Sequence, residues 1–386
     1  MPATSRTTAF DILRKVESGG YASDLLLERC AGMDARDAGL ASEIVFGALR
    51  RQLQLDYLIG FYSGSTRKLD PEVRIALRMG IYQLRFLERV PAHAAVADSV
   101  DLVKRARKRS AAGFVNAVLR KVNREPVEWP TRDVELSCPE WLLARWEAEF
   151  GRETAEGIAR TALSRPETFV RGALGGVPHE PTDVPGCFRL LAPVSQLPPG
   201  ARVQDIGSQS IVPLLRLEPG QRFLDLCAAP GNKTAQALEA GVRAVACDIH
   251  LHRIAQLKGS AAGLLVLDGT QPLPFGRIFD RILLDAPCSG TGTLARNPEI
   301  KWRLRPGDLS ELHARQSALV ANARAALAPG GLLVYSTCSL ETEENEAVVA
   351  EVPAALVVET MERVPGVTAG DGFFAAVIKS GEPVND

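Results

Sequence analysis

The apolar positions of the first third of the chain recur at spacings of three and four. Ile44, Val45, Ala48 and Leu49; Leu77, Ile81 and Leu84; Val96, Val100 and Val103; and Phe114, Val115, Val118 and Leu119 each trace one helical face. Gly19-Gly20, Asp70-Pro71 and Pro91 punctuate the series, with no alternating strand pattern between them, which predicts an all-helical domain over residues 1–128. Prolines then crowd the chain. A helix near 139–150 and the short runs TFVRGAL and CFRLLAP predict a small α+β connector over 129–200. Across 201–386 the rhythm becomes strand, helix, strand: RFLDLC, TAQALEA, RAVACD, LHRIAQLKG, LLVLD, DRILLDAP, a helix in 308–328, GLLVYST, a helix from 341, ALVVET and a terminal FFAAVI. Continuous apolar strands alternating with helices predict a parallel sheet covered on both faces.

Charge separates the helical part from the rest. Net charge is -1 over 386 residues, but residues 1–130 carry 21 Lys/Arg against 15 Asp/Glu, net +6, which leaves -7 for the remainder. The densest run, VKRARKRS followed by Arg120, Lys121 and Arg124, suits either phosphate contacts or a solvated helix face. No apolar run reaches the length of about 20 residues that spans a bilayer, and the start of the chain lacks a signal core, so a soluble cytoplasmic protein is expected. Seven cysteines without paired spacing predict reduced thiols, and no cluster of ligands predicts a metal.

Two of those cysteines hold unusual places. Cys288 and Cys338 lie just beyond the apolar runs RILLDAP and LLVYST, where a strand empties into a loop. In an open α/β sheet, ligands bind beyond the carboxyl ends of the strands. The first strand leads into CAAPGNKT, in which Cys227, Ala228, Ala229, Pro230, Gly231, Asn232 and Lys233 form a small-residue loop before a helix, suited to close backbone approach. Asp248 and Asp268 follow at the next two strand ends, placed for ribose and adenine contacts. Only one glycine is present where dinucleotide enzymes carry three. A nucleoside with an amino-acid-like tail, S-adenosylmethionine, fits the loop better than a nicotinamide cofactor.

DLCAAPGNKT, LLDAPCSGTG with RNPEIKW, and YSTCSLETEENE, in this order, resemble the RNA cytosine-C5 methyltransferases of the RsmB/Sun family. LRMGIYQLRFLERVPAHAAVADSVDLVKR with AAGFVNAVLRKV resembles the NusB-type helical RNA-binding domain, a pairing that this family shows in its bacterial 16S rRNA enzyme. The resemblance implies an α/β, class-I (Rossmann-like) S-adenosylmethionine-dependent methyltransferase domain preceded by an all-α NusB-like domain and the connector. It implies Cys338 as nucleophile, Cys288 as the group that assists product release, and Asp285 between cofactor and base. Spacing alone does not decide between the thiols. Asn232 stands where the family usually has glycine, and asparagine tolerates positive φ better than most residues.

The chemistry accords with the residues. C5 of cytosine is a poor nucleophile, and thiolate attack at C6 activates it. Lys233 would orient the cofactor tail or ease thiolate formation nearby. ARNPEIKWRLRPGD, with Arg296, Lys301, Arg303 and Arg305 around Trp302, suits a flipped or single-stranded base. The expected partner is 16S ribosomal RNA, naked or in an early small-subunit particle, with the enzyme a monomer away from membranes. Two other readings stay open: the same chemistry on tRNA or another rRNA site, and an RNA-binding assembly or antitermination factor whose methyltransferase domain is silent.

Overall fold

The computed structural model describes residues 4–65, 67–194, 196–260 and 262–381. They fall into two compact units, one running through Arg165 and joined by Leu294–Arg303, the other formed by the remainder.

The first unit is helical. Its elements are α1 (Ser5–Glu17), α2 (Ala22–Cys30), α3 (Ala35–Arg50), α4 (Gln52–Ser63), α5 (Pro71–Phe86), α6 (Ala92–Arg105), α7 (Ala112–Leu119), α8 (Arg132–Glu135), α9 (Glu140–Phe150) and α10 (Arg152–Leu163). Helices break where the sequence predicts: α5 starts on Pro71, whose missing N–H is one that a first helical turn leaves unpaired anyway, and Pro91 precedes α6. Ile44, Val45, Leu77, Ile81, Val103, Val115 and Leu119 from the periodic faces form one core. The segment read as a connector divides, with α8 to α10 in this unit and its short strands in the other.

Leu294–Arg303 belongs to the helical unit although the sequence on both sides belongs to the other. Helix ends explain why. The last carbonyls of a helix lack intrahelical donors and its first N–H groups lack acceptors. Trp302 Nε1 donates to Leu49 O at 2.8 Å and Lys301 Nζ to Arg50 O at 2.9 Å, both at the end of α3. Arg303 donates to Val16 O at 2.7 Å, in the last turn of α1, and to Gly20 O, in the turn that follows it. Glu299 Oε1 accepts from Ala22 N at 2.8 Å, at the start of α2. Cations thus meet helix carboxyl ends and an anion meets an amino end, the favourable sense for the peptide dipoles. The expectation that Lys301, Trp302 and Arg303 grip a base is therefore corrected: these side chains are engaged with backbone groups, and Lys301 is only 1% exposed.

The second unit contains two sheets. A small antiparallel sheet, order β2-β3-β1-β4, is built from β1 (Phe169–Arg171), β2 (His179–Pro181), β3 (Cys187–Leu190) and β4 (Arg202–Val203). The larger one has β5 (Arg222–Asp225), β6 (Arg243–Asp248), β7 (Gly263–Val266), β8 (Phe279–Asp285), β9 (Leu327–Thr337), β10 (Val357–Arg363) and β11 (Phe373–Lys379), in the order β10-β11-β9-β8-β5-β6-β7. Strands β5 to β9 pair in parallel, but β11 runs antiparallel to both neighbours, which corrects the all-parallel expectation. Side chains alternate between two covered faces. Ile282, Leu284, Tyr335 and Phe374 enter one core, and Leu283, Val334, Phe373 and Ala375 the other. No helix among the described residues is long and apolar enough to cross a membrane.

Burial pulls the Lys301 ammonium down to about 8, from 10.5. An unfolded chain then binds more protons between these values, so the Lys301 contribution to stability rises as pH climbs through that window. Unfolding of wild type and Lys301→Met, compared from pH 7 to 10, is expected to show the substitution costing more at the alkaline end, by on the order of 2 kcal/mol. A cost that does not change with pH would contradict a buried, titrating lysine.

Candidate active site

Strand order reverses between β5 and β8, and at such a switch point the crossovers on either side diverge and leave a crevice beyond the carboxyl ends. Asp225 closes β5 on one side of it and Asp285 closes β8 on the other. The helix Asn232–Leu238 starts from the loop after β5 and supplies two side chains aimed back at these acids. Lys233 Nζ donates to Asp285 Oδ2 at 2.7 Å and Thr234 Oγ1 to Asp225 Oδ2 at 2.6 Å. Ser336 Oγ, from β9, donates to Asp285 Oδ1 at 2.8 Å. Lys233 also lies 4.9 Å from the centroid of the Phe373 ring. Although it stands at a helix start, Lys233 is buried, at 8% exposed.

The loop preceding that helix is shaped by one residue. Gly231 has φ +107, and a Cβ there would stand 2.7 Å from Leu257 Cγ. Asn232 is the first residue of the helix and is not among the residues with positive φ. Left-handed geometry therefore falls on Gly231, and the departure from glycine at Asn232 places no strain on the loop. Ala228 N donates to Cys247 O at 2.8 Å, which lays Cys227, Ala228, Ala229 and Pro230 across the end of the sheet. The Cys227 thiol is pushed up by burial and by the nearby carboxylates of Asp225, Asp285 and Asp248, so it is a poor nucleophile.

The two downstream acids differ. Asp248 ends β6, is buried, and accepts from His250 N at 2.9 Å through Oδ1. Asp268 lies two residues beyond β7, exposed, and Thr270 donates to its Oδ1 from Oγ1 and N at 2.7 and 3.0 Å. These bonds hold Asp268 below the usual carboxylate range. Sequence reading passed over Asp225, although it stands at a strand end like the acids it did select. Asp225 is 1% exposed, its Oδ1 has no hydrogen-bond partner among the described residues, and burial pushes its carboxyl up to about 7. An orphaned buried acceptor beside a loop that excludes a Cβ fits an amine- and hydroxyl-bearing nucleoside cofactor.

The thiols meet at the ends of β8 and β9. These strands pair in parallel with Asp285 opposite Ser336, so the residues just beyond each end stand side by side. Cys288 Sγ is 3.4 Å from Cys338 Sγ, and both residues are half-buried. Gly292 N donates to Cys338 O at 2.9 Å, an approach only glycine allows, since a Cβ there would be 2.8 Å from that oxygen and 2.5 Å from Gly372 O. The hydrogen bond to Cys338, burial, and the Cys338 and Glu344 charges all push the Cys288 thiol well up. Glu344, which the sequence did not distinguish from its acidic neighbours, takes hydrogen bonds from both thiol loops. Cys247 is core, its thiol raised to about 12 by burial. Among the described residues, no group of three or more His, Cys, Asp or Glu could hold a metal ion.

Such a sheet, with its small-residue loop and strand-end acids, defines a Rossmann-like S-adenosylmethionine-dependent methyltransferase domain. A family model described as 16S rRNA methyltransferase RsmB/F matches residues 212–379, and one described as NusB family matches residues 3–124. Ribosomal RNA small subunit methyltransferase B of Salmonella arizonae is 34% identical over 410 residues, spanning 94% of this chain and 95% of that one. The same-named protein of Cronobacter sakazakii is 34% identical over 408 residues, with 94% and 95% covered. The chain belongs to the RsmB family of methyltransferases. In fold, it is similar to the crystal structure of PH0851, with a TM-score of 0.80, 23% identity, and 98% and 99% of the two chains covered. The similarity to NSun6 from Pyrococcus horikoshii with SFG has a TM-score of 0.56, 18% identity, and 63% and 99% coverage.

Gly231→Ala should weaken S-adenosylmethionine binding by about tenfold or more, because a strained backbone of this kind costs on the order of 1–3 kcal/mol. Asn232→Gly should leave affinity within about threefold, about 0.6 kcal/mol. Titration calorimetry of both variants checks the pair, and a larger effect at Asn232 than at Gly231 would contradict the assignment of the turn.

Proposed function

We propose that the chain transfers a methyl group from S-adenosylmethionine to C5 of a cytosine in 16S ribosomal RNA through a covalent bond between Cys338 and C6 of the base. The observation that carries this reading is the 3.4 Å approach of Cys338 to Cys288 at the same strand ends as the Lys233–Asp285 pair. The names of the curated relatives support small-subunit rRNA as substrate.

The backbone of Cys227 to Asn232, with Asp248, Asp268 and Asp225, would hold the cofactor. Bound there, S-adenosylmethionine supplies an electrophilic methyl group. Addition of the Cys338 thiolate to C6 converts the ring into an enamine whose C5 is nucleophilic, splitting one hard step into easier ones. Asp285 receives one hydrogen bond on each oxygen, from Lys233 and Ser336, and each oxygen keeps a lone pair for the cytosine amino group. After methylation a base removes the C5 proton, the electron pair re-forms the C5–C6 double bond, and the C6–S bond breaks. Cys288, kept as a thiol, donates a hydrogen bond to the departing Cys338 sulfur and so assists release.

In this reading the helical residues 1–128 hold the RNA, and the protein works as a cytoplasmic monomer on naked 16S rRNA or an early small-subunit particle. Several cations of the basic run have protein partners: Lys104 pairs with Asp101, Arg105 with Asp11 and Lys108 with Asp70. Surface pairs of this kind are worth little and exchange readily for phosphate. Arg107 and Arg109 are exposed, and their guanidinium groups make no hydrogen bond or ion pair among the described residues.

Transfer of labelled methyl to protein-free 16S rRNA tests the reaction. Cys338→Ala should lose at least about a thousandfold in rate, and Cys288→Ala should accumulate a protein–RNA adduct that survives a denaturing gel. Activity that persists in Cys338→Ala would overturn the assignment. For RNA binding, Arg107→Ala and Arg109→Ala should each flatten the slope of log affinity against log salt by about 1. A salt response as steep as wild type in both would remove these residues from the interface.

A further inference from the structure

Four donors from three segments converge on the buried carboxylate of Glu344, which is 0% exposed. Oε1 accepts from Ser289 N at 2.8 Å and from Gln316 Nε2 at 2.9 Å. Oε2 accepts from Ser339 Oγ at 2.5 Å and from Ser289 Oγ. Four donors with no acceptor opposite suit an ionised carboxylate, which only accepts. No lysine or arginine among the described residues pairs with it, so neutral dipoles alone hold the charge. Burying a carboxylate in this way is costly, and a neutral group would join the loops at lower cost. The next residue is such a neutral group, although it ties only the Cys338 side: Asn345 accepts from Thr337 Oγ1 at 2.6 Å and donates to Ser339 O at 3.0 Å. What distinguishes Glu344 is its place. Ser289, which follows Cys288, gives two of the four bonds, and Ser339, which follows Cys338, gives one, so the charge is fastened beside the thiols and chiefly to the Cys288 loop.

We propose that Glu344 is a positioning residue for the thiol pair: its carboxylate fixes the Cys288 loop against the Cys338 loop, and its charge, tied twice to Ser289 and once to Ser339, opposes a thiolate at Cys288. The inference rests on the roles given to Cys338 and Cys288 above. A fixed anion opposes formation of a second anion beside it. The groups that face Cys288 are Cys338 at the end of β9, Glu344 from the turn after it, and the Tyr335 hydroxyl, which donates to Glu344 O at 2.5 Å. On its own strand, Asp285 is paired with Lys233. Glu344, which takes two of its bonds from Ser289 beside Cys288, acts to keep that residue a thiol.

Alkylation of the full chain by iodoacetamide across pH, with Cys288 and Cys338 quantified separately by peptide mass spectrometry, tests this without turnover. In wild type Cys338 should label faster. In Glu344→Gln the Cys288 profile should move to lower pH and the Cys338-to-Cys288 ratio should fall about tenfold, the effect of one pH unit. Cofactor affinity should stay unchanged, and kcat should fall while KM for RNA moves less than about threefold. Glu344→Asp keeps the charge but withdraws it from the two serines, so it should retain the ratio within about threefold and still lose kcat. An unchanged labelling ratio in Glu344→Gln overturns the proposal. If that variant does not fold, wild-type kcat in Glu344→Asp overturns it instead. Selective labelling of Cys338 in a wild type that methylates no RNA would contradict the functional reading and leave the labelling test of Glu344 intact.

Discussion

The parallel register of β8 against β9 is the constraint on which the site depends. Asp285 opposite Ser336 fixes where each chain leaves the sheet, and everything that joins the two exits follows from it. Ser336 reaches Asp285, Cys338 reaches Cys288, and Gly292 admits the Cys338 carbonyl. A slip of one residue would turn Leu283 and Leu284 to the opposite cores and carry the thiols apart, since alternate side chains face opposite sides of a strand. Apolar packing on both faces therefore sets the position of the two thiols.

The electrostatics around that register are those of buried charge with assigned partners. Lys233 and Asp285 neutralise each other, and Glu344 is held by dipoles. Asp225, at the end of β5, retains an oxygen with no partner among the described residues. The helical unit applies the same rule to helix ends: Glu299, Lys301, Trp302 and Arg303 complete backbone groups that α1, α2 and α3 leave open.

Much of this was legible in the sequence because hydrophobic period is a local signal. The helical faces around Ile44, Leu77 and Val115, the strand ends at Asp248 and Asp285, and the two cysteines after apolar runs all follow from spacing within a short window. What spacing cannot carry is pairing. FFAAVI reads as a strand but not as one inserted antiparallel between β9 and β10. Lys301, Trp302 and Arg303 read as a nucleic-acid surface because charge beside an aromatic is also what helix carboxyl ends recruit. Glu344 looks like any residue of an acidic turn until Ser289 and Ser339 are seen to point at it. Asn232 drew attention as a departure from glycine, whereas the backbone places the turn on Gly231.

The most direct measurement is to offer the protein RNA containing 5-fluorocytidine together with S-adenosylmethionine and to map the modified residue by mass spectrometry. Fluorine at C5 cannot leave as the proton does, so the covalent intermediate is trapped after methyl transfer. The account predicts a methylated, fluorinated nucleotide bonded to the sulfur of Cys338 with Cys288 unmodified. A nucleotide on Cys288, or methyl transfer with no covalent complex, would contradict it.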